Sequence, residues 1–395
     1  MRVFAIILAL AAASAANPLL FKESEQRPLG FQQQTHPGFD LDLNERRLIQ
    51  LEGQEPVWIT ELEKIGLKAQ GVNFFDITDT PNLGLSARLR SGFKPDFPSP
   101  NASELVVPVL NTLSSDGPFE NLKALTSFRT RYYRSDTGRQ SQQWLLSKIS
   151  EITSQYAPTS LQQNISIGEF SHSWGQNSII VRINGSSATD DSVVIVGAHQ
   201  DSTNMWPFLP APGADDDGSG TVTILESYRA LISANFRPIR SVEFHWYAAE
   251  EGGLLGSAAV AQAYEARSAH VYAMSQFDMT AWVKKGTREE VGVITDYVDP
   301  SLTTFNKKLV EEYLDIPYVE TQCGYACSDH ASWGKAGYPS IFSIESSFGN
   351  SNKFIHSTRD TYDVSEEFSF SHMLEFSKLA VAFVIELAGW SKDSA

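Results

Sequence analysis

Cysteine is nearly missing from this chain. Cys323 and Cys327 are the only two among 395 residues, which excludes a small disulfide-stapled fold and leaves no second Cys pair to complete a thiolate zinc site. Basic residues are also scarce. Thirty-one Lys and Arg face 47 Asp and Glu, for a net charge of −16, and that balance argues against nucleic acid or an anionic membrane as a partner. Beyond the N-terminus no stretch is long and apolar enough to span a bilayer. Internal repeats and low-complexity tracts are lacking too, so the chain reads as one large domain with an accessory segment.

What is present begins with an address. Arg2 supplies a positive start, residues 3–13 are apolar, and Ser14-Ala15-Ala16-Asn17 offers small residues for cleavage. This predicts a secretory signal peptide over residues 1–16 and an extracellular protein. Three acceptor sequons, at Asn101, Asn164 and Asn184, fit that route and are candidate glycosylation sites. An oxidising compartment favours a disulfide between Cys323 and Cys327, in a loop small enough to shape a local turn rather than hold the fold together.

Residues 17–88 read as a pro-segment. A polar stretch with scattered Pro, Gln and Gly runs to residue 42, and helical spacing follows over 45–67. A basic run at 83–90 and a Pro-rich run at 94–100 then mark a processing region. The other reading of this segment is a small accessory domain that stays attached.

Residues 89–395 form the main domain, and from Ala102 on its organisation is regular. Strands are expected at 178–183, 192–198, 241–248, 271–278, 291–295 and 340–345. Helices are expected at 103–113, 119–126, 140–156, from 218, and at 255–266, 301–313 and 368–388. This alternation predicts an α/β fold, a central, mainly parallel sheet covered by helices on both faces.

The chemistry-bearing residues gather at the ends of those strands. His199-Gln200-Asp201 closes the apolar run Val193-Val194-Ile195-Val196, and Asp215-Asp216-Asp217 precedes the next helix. Glu250-Glu251 and Asp278 end two further strands, and His356 follows the last. In an open α/β sheet such ends share one crevice. Three consecutive aspartates repel one another unless a cation neutralises them, and carboxylates beside imidazoles suit divalent metal, zinc in particular. Two metals can share one bridging carboxylate and a water. Adjacent Glu250 and Glu251 point in different directions, so one can bind metal while the other serves as general base. Asp201 can accept the second N–H of His199. The residues alone leave open which aspartate bridges and which glutamate is the base.

Six segments in order resemble the secreted zinc aminopeptidases of the M28 peptidase family. They are Gly197-Ala198-His199-Gln200-Asp201-Ser202, Pro212-Gly213-Ala214-Asp215-Asp216-Asp217-Gly218-Ser219-Gly220 and Ala248-Ala249-Glu250-Glu251-Gly252, then Gln276-Phe277-Asp278-Met279-Thr280, Cys323-Gly324-Tyr325-Ala326-Cys327-Ser328-Asp329-His330 and Ile355-His356-Ser357-Thr358. The likeness is to bacterial leucyl aminopeptidases of the Vibrio/Aeromonas type and to fungal secreted leucine aminopeptidases, the pro-segment resembling only the fungal group. It implies a single zinc-peptidase domain with a mixed, mainly parallel sheet. It also implies two Zn2+ per subunit. His199, Asp216 and Asp278 would hold one ion, and Glu251, His356 and the bridging Asp216 the other. Glu250 becomes the general base and Asp201 the partner of His199. A Cys323–Cys327 disulfide is implied as well. Tyr325, Met279, Phe342, Ile344 and Phe348 match positions in or near the family's specificity pocket; each could equally be ordinary core.

The expected activity is removal of leucine-like N-terminal residues from peptides and proteins by a monomer, with the pro-segment as a further partner. A carboxypeptidase or glutaminyl cyclase of the same fold is the alternative, and a non-catalytic binding protein another. A carboxypeptidase needs a cation beside the metals, and Arg359 is the exception in motif segments otherwise nearly free of Lys and Arg.

Overall fold

The computed structural model describes residues 36–90 and 95–391; the expected signal peptide lies outside them. From Gly38 onward the chain is one compact unit. Its N-terminal part is a three-stranded antiparallel sheet, β1 (Arg46–Gln50), β2 (Val57–Thr60) and β3 (Phe75–Asp76), in the order β2-β1-β3, with helix α1 (Glu61–Ala69) after β2. The helix expected over 45–67 is therefore two strands and a shorter helix. Along β1, Arg47 and Ile49 are buried and their neighbours are not, a period of two. Gly53, at φ +65°, turns the chain towards Pro56. α1 starts only at Thr60, whose side chain and Glu63 form a reciprocal capping box.

The main body is an eight-stranded sheet in the order β10-β9-β11-β8-β6-β7-β5-β4. Its strands are β4 (Ile165–Phe170), β5 (Ser178–Ile183), β6 (Val193–His199), β7 (Ser241–Tyr247), β8 (Val271–Phe277), β9 (Val291–Ile294), β10 (Tyr318–Thr321) and β11 (Ser340–Ile344). The four pairs β7–β6, β6–β8, β8–β11 and β9–β10 are parallel, while β4–β5, β5–β7 and β11–β9 are antiparallel. The sheet is thus mixed with a parallel centre. The two strands that the sequence did not suggest, β4 and β10, are its edges. Both are only partly buried, so neither carries the apolar run that marks a central strand.

The seven residues of β6 are all buried. Their β-branched run suits a strand packed on both faces. Helix α2 (Gly220–Ser233) and the C-terminal helix α4 (Phe370–Ala388) cover one face, joining Val194, Val196, Phe244 and Trp246 in the largest apolar cluster. On the other face Val260, Ala261 and Tyr264 of α3 (Leu255–Ala266) pack with Ile195, Met274 and Trp333. β7 and β8 both follow β6 in the chain and lie on opposite sides of it. The connections therefore diverge at the C-terminal end of β6, the switch point where open α/β sheets bind ligands. Among the described residues no helix is long and apolar enough to cross a membrane.

Candidate metal centre

β6 ends in His199, β7 leads into Glu250 and Glu251, and β8 into Asp278, so parallel pairing alone brings three motifs together. The fourth arrives on a tight turn. Gly213, at φ +55°, has no room for a side chain: a Cβ there would lie 2.5 Å from Ser202 Cβ and 2.6 Å from the Asp216 carbonyl oxygen. A single irregular turn, Ala214–Ser219, then leads into α2. Ala249, Met279 and His356 adopt left-handed backbone, at φ 57°, 55° and 54°. Met279 adjoins a ligand candidate, His356 is one, and Ala249 adjoins Glu250, the candidate base; strain of this sort gathers at functional sites.

The three aspartates do different work. Asp217 accepts from the backbone N–H groups of His199 (3.0 Å), Gly220 (2.8 Å) and Met279 (3.1 Å), fastening the ends of β6 and β8 to the start of α2. Asp215 accepts from Ala281 N–H (3.2 Å) and Asn352 Nδ2 (3.0 Å). Only Asp216 faces both imidazoles, 3.2 Å from His199 Nε2 and 2.9 Å from His356 Nε2. Asp278 lies 3.6 Å from His199 Nε2 and Glu251 3.1 Å from His356 Nε2. The result is two clusters, His199–Asp216–Asp278 and Asp216–Glu251–His356, each with its ligand atoms within 4.8 Å of one another.

This donor set fits divalent metal. Both ring nitrogens of His199, Asp278 Oδ1 and Glu251 Oε1 are buried without a hydrogen-bond partner, an expensive state unless an ion satisfies them. Burial works against charge on His356, yet the carboxylates of Glu251 and Asp216 hold its pKa up to about 10. His199 is likewise raised, against burial, by Asp278, Asp201 and Asp216. Neighbouring carboxylates that favour a cation this strongly will also favour a metal ion in the protons' place.

The surrounding residues aim these groups. Asp201 accepts from the backbone N–H groups of Glu250 (3.1 Å) and Glu251 (3.2 Å) and stands 3.4 Å from His199 Nδ1. Ser328 Oγ donates to Asp278 at 2.7 Å. Burial pushes the Glu250 carboxyl well above its ordinary range, and the neighbouring Glu251 charge adds to the shift. A general base needs a shift of that direction to work near neutral pH.

An apolar pocket adjoins the clusters. Met279, Phe342 and Ile344 form its buried wall with Phe348 packed against them, and Tyr325 meets Phe348 edge-on at 6.3 Å. Cys323 and Cys327 are disulfide-bonded and pack on the same group. The cavity of about 140 Å³ that this wall lines also takes in Asp216, Glu250, Glu251, Asp278 and His356. All five residues suggested for it lie here. Of the sequon asparagines, Asn101 and Asn184 are exposed and Asn164 is half-buried.

Sequence reasoning missed three residues. Arg131 is buried and spends its guanidinium on the carbonyls of Gln200 (2.8 Å), Gly213 (2.8 Å) and Pro212. Asp360 accepts from the backbone N–H groups of Asp215 (3.0 Å) and Asp216 (3.1 Å). Both lie far in sequence from the segments they fix. Lys68 of α1 reaches into the cleft, donating to the Glu251 carboxylate and, at 2.7 Å, to its carbonyl oxygen. With Val72, Asn73 and Phe74 it walls the cavity from the N-terminal side.

Carboxylates and imidazoles suited to divalent metal, a further carboxylate beside them and an adjoining apolar wall are the parts a metallohydrolase site needs. Residues 178–381 match the description "Peptidase family M28", and the chain belongs to that family. It is 46% identical over 391 residues to "Leucine aminopeptidase 1" of Coccidioides posadasii, covering 96% of this chain and 97% of that protein. To the "Leucine aminopeptidase 1" of Colletotrichum graminicola it is 49% identical over 354 residues, 87% of this chain and 86% of that one. The crystal structure of the Legionella pneumophila LapA aminopeptidase superposes with a TM-score of 0.77 at 29% identity, covering 88% of this chain and 99% of the other.

Proposed function

We propose that this protein is a secreted aminopeptidase, made as a precursor, that uses two zinc ions to remove leucine-like residues from peptide N-termini. The observation that carries the reading is the pair of ligand clusters sharing Asp216 in a cavity that also has an apolar wall, in a chain whose relatives are named as leucine aminopeptidases. His199, Asp216 and Asp278 would hold one ion, and Asp216, Glu251 and His356 the other. Bound zinc supplies Lewis acidity, which polarises a scissile carbonyl and lowers the pKa of a water.

The chain does the rest. Glu250 takes a proton from the attacking water as the C–O bond forms and passes it to the leaving amine as the C–N bond breaks. Asp201 fixes the peptide that carries Glu250 and Glu251, so base and ligand keep one geometry. The carboxylates of the cleft suit the substrate's α-ammonium. The pocket of Met279, Phe342, Ile344 and Phe348 takes the first side chain, where one methylene is worth about 1–3 kcal/mol of discrimination. Arg131 is committed to backbone carbonyls and the exposed Arg359 lies over the Phe354 ring, and neither lines the cavity beside the clusters.

Residues 17–88 act as the pro-segment, with Lys68 and the 72–74 stretch covering the cleft of the precursor. Glu265 grips its end, accepting from Gly84 N–H, Ser86 N–H and Ser86 Oγ at 2.7 Å each, while Leu85 and Leu89 stay 77% and 86% exposed nearby, open to a processing protease.

The test is hydrolysis of leucine p-nitroanilide by the secreted protein before and after chelation and zinc return, beside an N-acetylated control. Activity lost to the chelator, regained with zinc and absent on the blocked substrate is expected. Cleavage of the blocked substrate, or indifference to chelation, overturns the reading. A precursor carrying Lys68→Met should show more activity than the unaltered precursor; equal activity would leave Lys68 no part in covering the cleft.

A further inference from the structure

Residues 205–209 form an apolar turn that the reaction described above does not use. Leu209 N–H donates to the Trp206 carbonyl at 2.9 Å, closing the turn. Asn204 clamps it from within, accepting from Trp206 N–H at 3.3 Å and donating from Nδ2 to the Pro210 carbonyl at 2.9 Å. On this fixed loop Met205, Trp206 and Leu209 are each nearly half exposed, at 47%, 47% and 46%. Large apolar side chains gathered on the surface of so acidic a chain call for a partner.

The position of the turn says which partner. Met205 N–H donates to the carbonyl of His356, a candidate ligand, at 3.0 Å. Met205 and Pro207 line a narrow crevice with Glu251, closed from the other side by Lys64 and Lys68. The turn is thus continuous with the cleft. One occupant of the loop is already in view: Phe39 of the N-terminal segment sits edge-on against Phe208, ring centres 5.5 Å apart at 72°. Aromatic side chains fit here.

An aminopeptidase seats its substrate's first side chain in a pocket with a floor, so the rest of the peptide must leave across the rim. We propose that the 205–209 turn is the shelf on which the residues after the scissile bond lie, and that it selects apolar or aromatic side chains there. This rests on the aminopeptidase reading. The shelf is held by Asn204 before substrate arrives, so little ordering cost opposes binding. In the precursor, Phe39 of the N-terminal segment packs on Phe208 of the same turn.

The experiment compares kcat/KM of the zinc-loaded protein as secreted on leucinamide, Leu-Phe-Ala and Leu-Ser-Ala. Leu-Phe-Ala should exceed Leu-Ser-Ala by about tenfold or more, the range that a buried apolar group provides. In Met205→Ser/Trp206→Ser that ratio should fall at least several-fold, chiefly through KM, and Trp206→Phe should keep most of it. A ratio near one in the unaltered protein, or one that the double substitution leaves alone, overturns the shelf. So does a double variant that only releases the pro-segment more readily. Should the double variant fail to fold, the ratio in the unaltered protein still decides. Failure to hydrolyse leucinamide at all would instead strike the aminopeptidase reading itself.

Discussion

The N-terminal segment and the catalytic cleft both bury carboxylates, and they neutralise them in opposite ways. In the segment, Asp76 and Glu61 are closed in by cations of the same segment. Arg47 Nε lies 2.7 Å from Asp76, and Lys64 Nζ 3.1 Å from Asp76 and 3.0 Å from Glu61. Burial opposes charge on Lys64, but Tyr133, Glu61 and Asp76 hold its pKa raised. In the cleft, Asp216, Glu251 and Asp278 lie beside imidazoles, and among the described residues the one Lys paired with this group, Lys68 on Glu251, comes from the segment. A buried carboxylate cluster that carries its own Lys and Arg is structure. One left without them is a place for a metal.

Four substitutions would break or sharpen that contrast. The largest effect belongs to Glu250, which the reading makes a base and no ligand. Glu250→Gln should lower kcat on leucine p-nitroanilide by about 10²–10⁴-fold with zinc content intact by atomic absorption. Loss of metal together with activity would make Glu250 a ligand instead. Next comes the segment's own cation. Removing one partner of a buried ion pair costs about 3–5 kcal/mol, so Lys64→Met should free residues 38–90 to limited proteolysis far sooner than in the parent protein. Unchanged digestion would mean that the pairs do not hold the segment.

A smaller effect is expected at Asp201. Asp201→Asn should weaken zinc binding by about 10–100-fold in a chelator competition, the cost of an outer carboxylate that orients a ligand; full affinity would reduce it to a backbone clamp. The smallest concerns Glu243, a buried carboxylate of the catalytic body that does carry its own partners. Burial would raise its pKa, but hydrogen bonds from His245 and Tyr264 and the charge of Arg182 bring it down to about 2. A depressed carboxylate stabilises the fold above its unfolded value and loses that contribution as pH falls through the folded one. Acid unfolding between about pH 4.5 and 2 should therefore be shallower in Glu243→Gln, measured by circular dichroism.

The cleft was legible from sequence because sheet topology turns scattered motifs into neighbours. His199 ends its strand and Glu251 and Asp278 follow theirs within four residues, and parallel pairing puts those ends together. Which of Asp215, Asp216 and Asp217 faces the imidazoles could not be read from spacing, because it depends on which carboxylates the backbone N–H groups of His199, Met279 and Ala281 engage. Arg131 and Asp360 were invisible for the same reason: they act on backbone groups of distant segments, which no local pattern records. The N-terminal segment misled because its apolar residues fall at helical intervals across a turn at Gly53 and Pro56. Edge strands β4 and β10, half wetted, gave too little contrast to be seen.

The clasp made by Asp217 has a consequence for how the protein is assembled. It ties β6 and α2 to a strand still to be made, and the second cluster waits on His356, roughly a hundred residues beyond Glu251. On a growing chain, which emerges at about 5–20 residues per second, the N-terminal segment exists well before either cluster can close. The second cluster is therefore complete only after residue 356 has emerged, when the residues that line the cleft from the N-terminal side have long been made.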